Sequence, residues 1–203
     1  EDMDSARFLD SMENIKFRNE VGALSLDISD MIIKINDYND KLIASAKERS
    51  KTEYELNLAA KIQASMLPSK LPSVEGYMLS ASMNPAEYVA GDFYDAFMLD
   101  DTHLCLIVAD VTGKGVYASL LAAAVQTTIK YNMLPGLKPS QILAKLNREI
   151  SQKDFAGVFV TVWLGILDTA TGVLTTSSAG HECPMLKVNG EYQMYRDTPH
   201  GLP

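Results

Sequence analysis

The hydrophobic pattern divides the chain into two regions. From Val21 to about Met66, apolar residues recur with helical spacing and no proline interrupts them, which predicts one long helix over 21–67. Along it runs a seam with the alternating three- and four-residue steps of a heptad repeat: Leu24, Ile28, Met31, Ile35, Tyr38 and Leu42. Such a seam predicts a homodimer through paired helices, and the alternative is an amphipathic helix folded back on the rest of the chain.

The second region, 68–203, carries shorter apolar runs separated by turn-forming residues. Leu67-Pro68 ends the helix, because proline and the residue before it resist helix continuation. Strands are predicted at 77–82, 97–99, 104–109, 158–167, 173–178, 185–188 and 192–195, with helices at 116–133 and 138–152. Two helices between groups of strands predict an α+β fold with the helices packed on an antiparallel sheet.

Two acidic residues stand at the ends of apolar runs and beside glycines. Asp92 follows Gly91, and Asp110 closes the apolar run 104–109. A hairpin that turns near residues 100–103 would lay 92–99 against 104–110, so the two carboxylates would meet at one end of the strand pair. Taken singly, Asp92 could be a turn or bulge residue and Asp110 the N-cap of the helix that follows.

Two adjacent carboxylates repel each other and need a compensating charge. Mg²⁺ and Mn²⁺ prefer carboxylate, carbonyl and water ligands, and a pair of such ions activates water for attack on phosphorus. The nearby glycines, Gly91, Gly113 and Gly115, let the backbone approach such a site closely. The pattern therefore makes a divalent metal site at Asp92 and Asp110 the main functional hypothesis.

Other candidate sites are weaker. The run Gly113-Lys114-Gly115 lacks the spacing and the Ser or Thr of a phosphate-binding P-loop. His181 has no accompanying nucleophile, so a hydrogen-bonded structural histidine is favoured over a general acid. Cys105 and Cys183 are far apart, without metal-ligand spacing, and Cys105 lies in an apolar run where a small buried side chain is expected.

Composition narrows the class of protein. Of the 203 residues 47% are apolar, and the formal net charge is −8, which disfavours nucleic acid as a partner. The sequence contains no run of 18 apolar residues and no signal peptide. Its two widely separated cysteines fit a reducing cytosol. The chain begins with Glu1, so a membrane anchor upstream in a longer parent chain is compatible with a cytoplasmic location of this part.

Five segments, in this order and spacing, resemble the successive motifs of one protein family. They are Ile62-Gln63-Ala64-Ser65-Met66-Leu67-Pro68, Ala90-Gly91-Asp92-Phe93-Tyr94-Asp95, Val108-Ala109-Asp110-Val111-Thr112-Gly113-Lys114-Gly115-Val116, Phe159-Val160-Thr161 and Ala179-Gly180-His181. The family is the PPM (protein phosphatase 2C-like) family, in its branch of bacterial sporulation and stress-response phosphatases. The resemblance covers residues 56–203, approximately.

This resemblance implies a PPM-type β-sandwich flanked by helices, a two-metal Mn²⁺ or Mg²⁺ centre, and hydrolysis of phosphoserine or phosphothreonine on a protein. Position by position, it makes Asp92 and Asp110 metal-binding catalytic residues, adds the backbone carbonyl of Val111 as a ligand, and gives Asp95 a bracing role. The substrate it implies is a phosphorylated anti-sigma-factor antagonist, and the output is the release of a sigma factor.

The chain departs from the family pattern at two places. Ala90 replaces the first glycine of the usual Gly-Gly-Asp. The chain also stops at Pro203, before the Thr-Asp-Gly segment and the final acidic residue that complete the family's metal site. We therefore expect the fragment alone to hold metal poorly, and a catalytically inactive dimeric signalling scaffold is the alternative function.

The start of the long helix resembles a second module. Asn19-Glu20-Val21-Gly22 is similar to the beginning of the second helix of a HAMP domain, a linker that follows membrane spans in bacterial receptors. The expected organisation is thus the tail of a HAMP-like linker at 1–20, a signalling helix at 21–67, and a PPM-type domain, C-terminally truncated, at 68–203.

Overall fold

The structure is a computed structural model that describes residues 20–134, 136–152, 157–195 and 200–201. Two consecutive helices lie between groups of largely antiparallel strands, which confirms the predicted α+β fold class. In chain order they are α1 (Glu20–Met66), β1 (Phe93–Met98), β2 (His103–Val111), α2 (Gly115–Asn132), α3 (Pro139–Ser151), β3 (Val160–Asp168), β4 (Leu174–Ala179), β5 (Met185–Val188), β6 (Glu191–Met194) and β7 (His200–Gly201).

Helix α1 confirms the prediction of one long helix. Its 47 residues rise about 1.5 Å each, so it is about 70 Å long, and it ends directly before Leu67-Pro68. Five of the six seam residues, all but Ile28, are 50–63% exposed within the chain. No helix in the described ranges has the length and apolarity needed to cross a lipid bilayer.

The chain divides into two compact units, and the boundary between Glu55 and Leu56 falls inside α1. The last turns of α1 therefore belong to the same unit as the strands and the other two helices. The proposed HAMP-like tail at 1–20 lies almost entirely outside the described residues.

A five-stranded sheet organises the second unit, with the order β1-β2-β3-β4-β7. Strands β1 to β4 pair antiparallel with their neighbours in the chain, and β7 pairs parallel with β4. Strands β5 and β6 form a separate hairpin, whose turn residues Asn189 and Gly190 have φ values of 53° and 90°. This left-handed pair matches the type I′ turn that an Asn-Gly dipeptide favours.

Helices α2 and α3 cover one face of the sheet. Alternate residues of β2 and β3 point to this face, and most of them are less than 2% exposed. The core they form with the helices includes Cys105, Ile107, Ala109, Val111, Ala118, Leu121, Ala122, Val125, Ile129, Ile142, Leu143, Leu146, Val160, Val162 and Leu164. Burial raises the pKa of Cys105 to about 12, as expected for an inert core thiol.

The predicted strand at 77–82 is wrong. Tyr77 makes one isolated bridge with Val74, and residues 78–82 are irregular, with Met78 96% exposed. Of residues 77–82 only Tyr77 is of a type enriched in strands, and no neighbouring strand in the described ranges offers the backbone bonds that a ladder needs. In the other direction, the short strand β7 was not predicted from the sequence.

Candidate metal centre

The β1–β2 hairpin brings the two predicted carboxylates together. Phe93 pairs with Ala109 in the ladder, so Asp92, which directly precedes β1, and Asp110 of β2 are the next residues beyond this pair. The turn at the opposite end is closed by Asp100, whose carboxylate accepts hydrogen bonds from the backbone N–H groups of Thr102 and His103 at 2.9 and 2.8 Å. This turn fixes the register of the hairpin and therefore the meeting of Asp92 with Asp110.

The Asp110 carboxyl interacts directly with Asp92. Its pKa is raised to about 6, first by partial burial, then by a side-chain hydrogen bond with Asp92 and by the negative charge of that residue. The negative charge of Asp92 thus opposes ionisation of Asp110, because two carboxylates this close repel each other. A cation would relieve this repulsion.

A cavity of about 350 Å³ opens beside the two carboxylates. Its lining combines the irregular segment before β1 with the turn after β2: Asn84, Pro85, Ala86, Glu87, Val89, Ala90, Gly91, Asp92, Asp110, Val111, Thr112, Gly113 and Lys114. Gly91 is pressed against the Val111 carbonyl, since a Cβ at residue 91 would lie 2.6 Å from that oxygen. The predicted backbone ligand is thus in contact with the segment that carries Asp92.

The turn from β2 into α2 depends on two glycines. Gly113 and Gly115 have φ values of +97° and +79°, which L-residues rarely adopt. The N-cap of α2 is Lys114, without a side-chain cap bond. The alternative that Asp110 caps this helix is therefore wrong, because Asp110 is paired in β2 opposite Thr161.

Asp95 does not line the cavity. Its side chain is 1% exposed and points to the helices, where its Oδ2 accepts from Gln126 Nε2 and lies against Lys130 Nζ, each at 2.7 Å. Its Oδ1 accepts from the backbone N–H of Ala96 at 3.0 Å. Asp95 therefore links β1 to α2, and its bracing role at the metal site stays a prediction.

His181 lies close to the carboxylate pair through Thr161. The Thr161 hydroxyl is 2.9 Å from His181 Nδ1 and donates to the Asp110 carbonyl at 3.3 Å. Burial lowers the pKa of His181, while the charges of Glu182 and Asp92 oppose this shift. Thr161 belongs to the motif Phe159-Val160-Thr161, and the sequence alone assigned it no role. The pairing of β2 with β3 brings it to the site.

The oxygen donors at this site suit a hard divalent cation. The Asp92 and Asp110 carboxylates and the Val111 carbonyl are the donor types that Mg²⁺ and Mn²⁺ take. Within the described ranges, no third His, Cys, Asp or Glu joins the two carboxylates in a group that could hold a metal. The described part of the chain thus offers two carboxylates as candidate ligands.

Comparison with known proteins is consistent with this geometry. Phosphoserine phosphatase RsbU of Bacillus subtilis is 36% identical over 132 residues, which are 63% of this chain. The chain spans only 38% of the length of RsbU.

Two solved structures share the fold. The structure of the RsbU and RsbW domains of Rv1364c from Mycobacterium tuberculosis has a TM-score of 0.51 and 26% identity, covering 58% of this chain and 33% of that one. The SiaA-PP2C domain of Pseudomonas aeruginosa has a TM-score of 0.55 at 22% identity, covering 66% of this chain and 55% of that one.

The family described as Stage II sporulation protein E (SpoIIE) matches residues 100–203, which is half of the chain. This match includes Asp110, the glycine turn after β2, and His181. The chain belongs to the SpoIIE family, with a domain of the PPM (protein phosphatase 2C-like) type.

Proposed function

We propose that the full-length protein is a metal-dependent protein serine/threonine phosphatase. The observation that carries this proposal is the direct interaction of Asp92 with Asp110 beside a cavity, where partial burial, then the hydrogen bond and the charge of Asp92, raise the pKa of Asp110 to about 6. Membership of the SpoIIE family supports the reaction class, because the relative RsbU is a phosphoserine phosphatase.

The residues that would hold Mn²⁺ or Mg²⁺ are Asp92, Asp110 and, by its backbone carbonyl, Val111. When bound, such ions activate water and offset charge on phosphoryl oxygens. The chain itself supplies Lys114 on the cavity wall, a positive charge suited to the phosphate of a phosphoserine. Thr161 fixes the backbone of Asp110 from the neighbouring strand.

The proposed substrate is a phosphorylated regulatory protein of the anti-sigma-factor-antagonist type. This part of the proposal rests on the family resemblance, in which such proteins are dephosphorylated to free a sigma factor. An acidic chain with a net charge of −8 is in keeping with a protein substrate and disfavours nucleic acid.

The full-length protein is expected to release phosphate from phosphoserine proteins only with Mn²⁺ or Mg²⁺ present. Phosphate release would be measured with and without chelator, using a phosphotyrosine peptide of similar charge as the control substrate. We expect chelation to abolish release and the phosphotyrosine peptide to be a poor substrate. Phosphate release that does not require metal would contradict the proposal, and so would a lack of phosphate release in every condition. A stable dimer that releases no phosphate would favour the inactive signalling scaffold.

The proposal includes a dimer formed through α1. Five seam residues of this helix are exposed in the single chain, and an apolar stripe of this length on a 47-residue helix suits a partner helix of the same kind. In the full-length protein this paired helix would transmit regulation from upstream to the phosphatase unit.

Replacing both Ile35 and Leu42 with aspartate is expected to give monomers, because two charges in each helix would be buried in the apolar seam. The matched control is aspartate at Ile33 and Ile43, which are 56% and 67% exposed but lie off the seam. Mass would be measured by sedimentation equilibrium. An unchanged mass in the seam variant would exclude the seam as the dimer contact.

A further inference from the structure

The side chain of Gln63, in the last turn of α1, holds both backbone groups of Ala90. Its Nε2 donates to the Ala90 carbonyl at 2.6 Å, and its Oε1 accepts from the Ala90 N–H at 2.9 Å. Ala90 is 8% exposed, so these groups are largely withdrawn from water. The glutamine amide thus does for Ala90 what a neighbouring strand does for a residue in a sheet.

The residue held in this way leads directly to a proposed ligand. Ala90 is followed by Gly91 and Asp92, none of which lies in a strand. On its other side, Gly91 is in contact with the Val111 carbonyl, where even a methyl group would lie 2.6 Å from the oxygen. The segment 90–92 is therefore held between Gln63 and Val111, and its position decides where Asp92 meets Asp110.

The end of α1 is fastened at a second point nearby. Gln126 of α2 donates to the Met66 carbonyl at 3.1 Å and to Asp95 Oδ2 at 2.7 Å. Two side-chain amides thus join the last turn of α1 to its neighbours. Gln63 joins it to the segment 90–92, and Gln126 joins it to Asp95 in strand β1. Of the two glutamines, Gln63 is the one that hydrogen-bonds to the segment 90–92, which carries Asp92.

We propose that Gln63 is a positioning residue for the metal centre: by holding Ala90, it sets the place of the Asp92 carboxylate relative to Asp110 and the Val111 carbonyl. This inference rests on the proposed function and assigns part of the metal centre to the signalling helix. If Gln63 only satisfied buried polar groups, its loss would lower stability and leave metal affinity unchanged.

The test compares Gln63→Met with the wild type in the full-length protein. Methionine keeps the length and volume of the side chain but can neither donate to nor accept from Ala90. We expect Mn²⁺ to bind about 10–100-fold more weakly, the usual effect of removing a residue that orients a ligand. Affinity would be measured by calorimetric titration at a temperature where both proteins are folded.

The matched control is Ile142→Val, which removes one methylene from a fully buried residue of α3 and touches no part of the ligand segment. It is expected to lower the melting temperature and to bind Mn²⁺ as the wild type does. Equal Mn²⁺ affinity in Gln63→Met and the wild type, or an equal loss in Ile142→Val, would overturn the positioning role.

A second measurement separates this inference from the proposed function. In the metal-free protein, the amide hydrogens of residues 90–92 should exchange with solvent faster in Gln63→Met than in the wild type, while those of β3 stay protected. If the wild type bound no Mn²⁺, the proposed function would fail, and this measurement would still decide about Gln63: unchanged exchange at 90–92 would refute it.

Discussion

The Asp110→Asn variant is expected to lose Mn²⁺-dependent phosphatase turnover by roughly 10³-fold or more, since a metal centre lowers the barrier by several kcal/mol. Asparagine has nearly the shape of aspartate and can keep the backbone pairing of Asp110 with Thr161. It removes the charge that Mn²⁺ needs. Turnover would be measured on a phosphoserine protein, with Asp101→Asn in the exposed β1–β2 turn as the matched control.

The stability of the same variant shows whether a loss of turnover comes from unfolding. The pKa of Asp110 is raised in the folded state to about 6, so the stability associated with its protonated form is lost as pH rises through that value. Asp110→Asn lacks this titration. Without metal, its melting temperature should exceed that of the wild type by more at pH 8 than at pH 4. Undiminished turnover in Asp110→Asn would refute the proposed role of this residue.

The Lys130→Met variant is expected to lose about 3 kcal/mol of stability, because it leaves the buried Asp95 carboxylate without a countercharge. This value is at the lower end of the range for buried pairs, since the Lys130 side chain is 44% exposed and Asp95 is 1% exposed. Lys130 also lies 5.4 Å from the centre of the Phe97 ring, a contact that methionine replaces in part. Stability would be measured by urea denaturation.

A double variant tests the cause of that loss. In Asp95→Asn/Lys130→Met the buried charge is gone, while Gln126 can still donate to the asparagine oxygen. We expect the double variant to be more stable than Lys130→Met alone. If both variants were equally unstable, lost packing of the lysine stem rather than the unpaired charge would be responsible.

Most helices and strands could be predicted from local sequence because local causes determine them. Helix α1 follows from a long apolar period without proline and ends where Leu67-Pro68 stops it. The β5–β6 hairpin follows from Asn189-Gly190, whose left-handed backbone only a few residue types adopt. The segment 77–82 shows the limit: a short run with few strand-favouring residues forms no strand when no partner strand supplies backbone bonds.

The two acidic residues of the candidate site could be predicted from the sequence, but the residues that surround them could not. Asp92 and Asp110 were placed together by a hairpin argument, which the register of β1 and β2 bears out. The contacts of Gln63 with Ala90 and of Thr161 with His181 join segments 27 and 20 residues apart. No turn or periodicity rule relates such residues, because their approach depends on how whole elements pack.

Asp92 and Asp110, the two proposed acidic ligands, are brought together by a single hairpin. Contacts between residues close in the chain form with little loss of loop entropy, and antiparallel neighbours such as β1 and β2 have low contact order. On the ribosome, this hairpin can therefore form before α3 and β3 have been made. The two carboxylates can thus come side by side, at least transiently, while the rest of the domain is still being made.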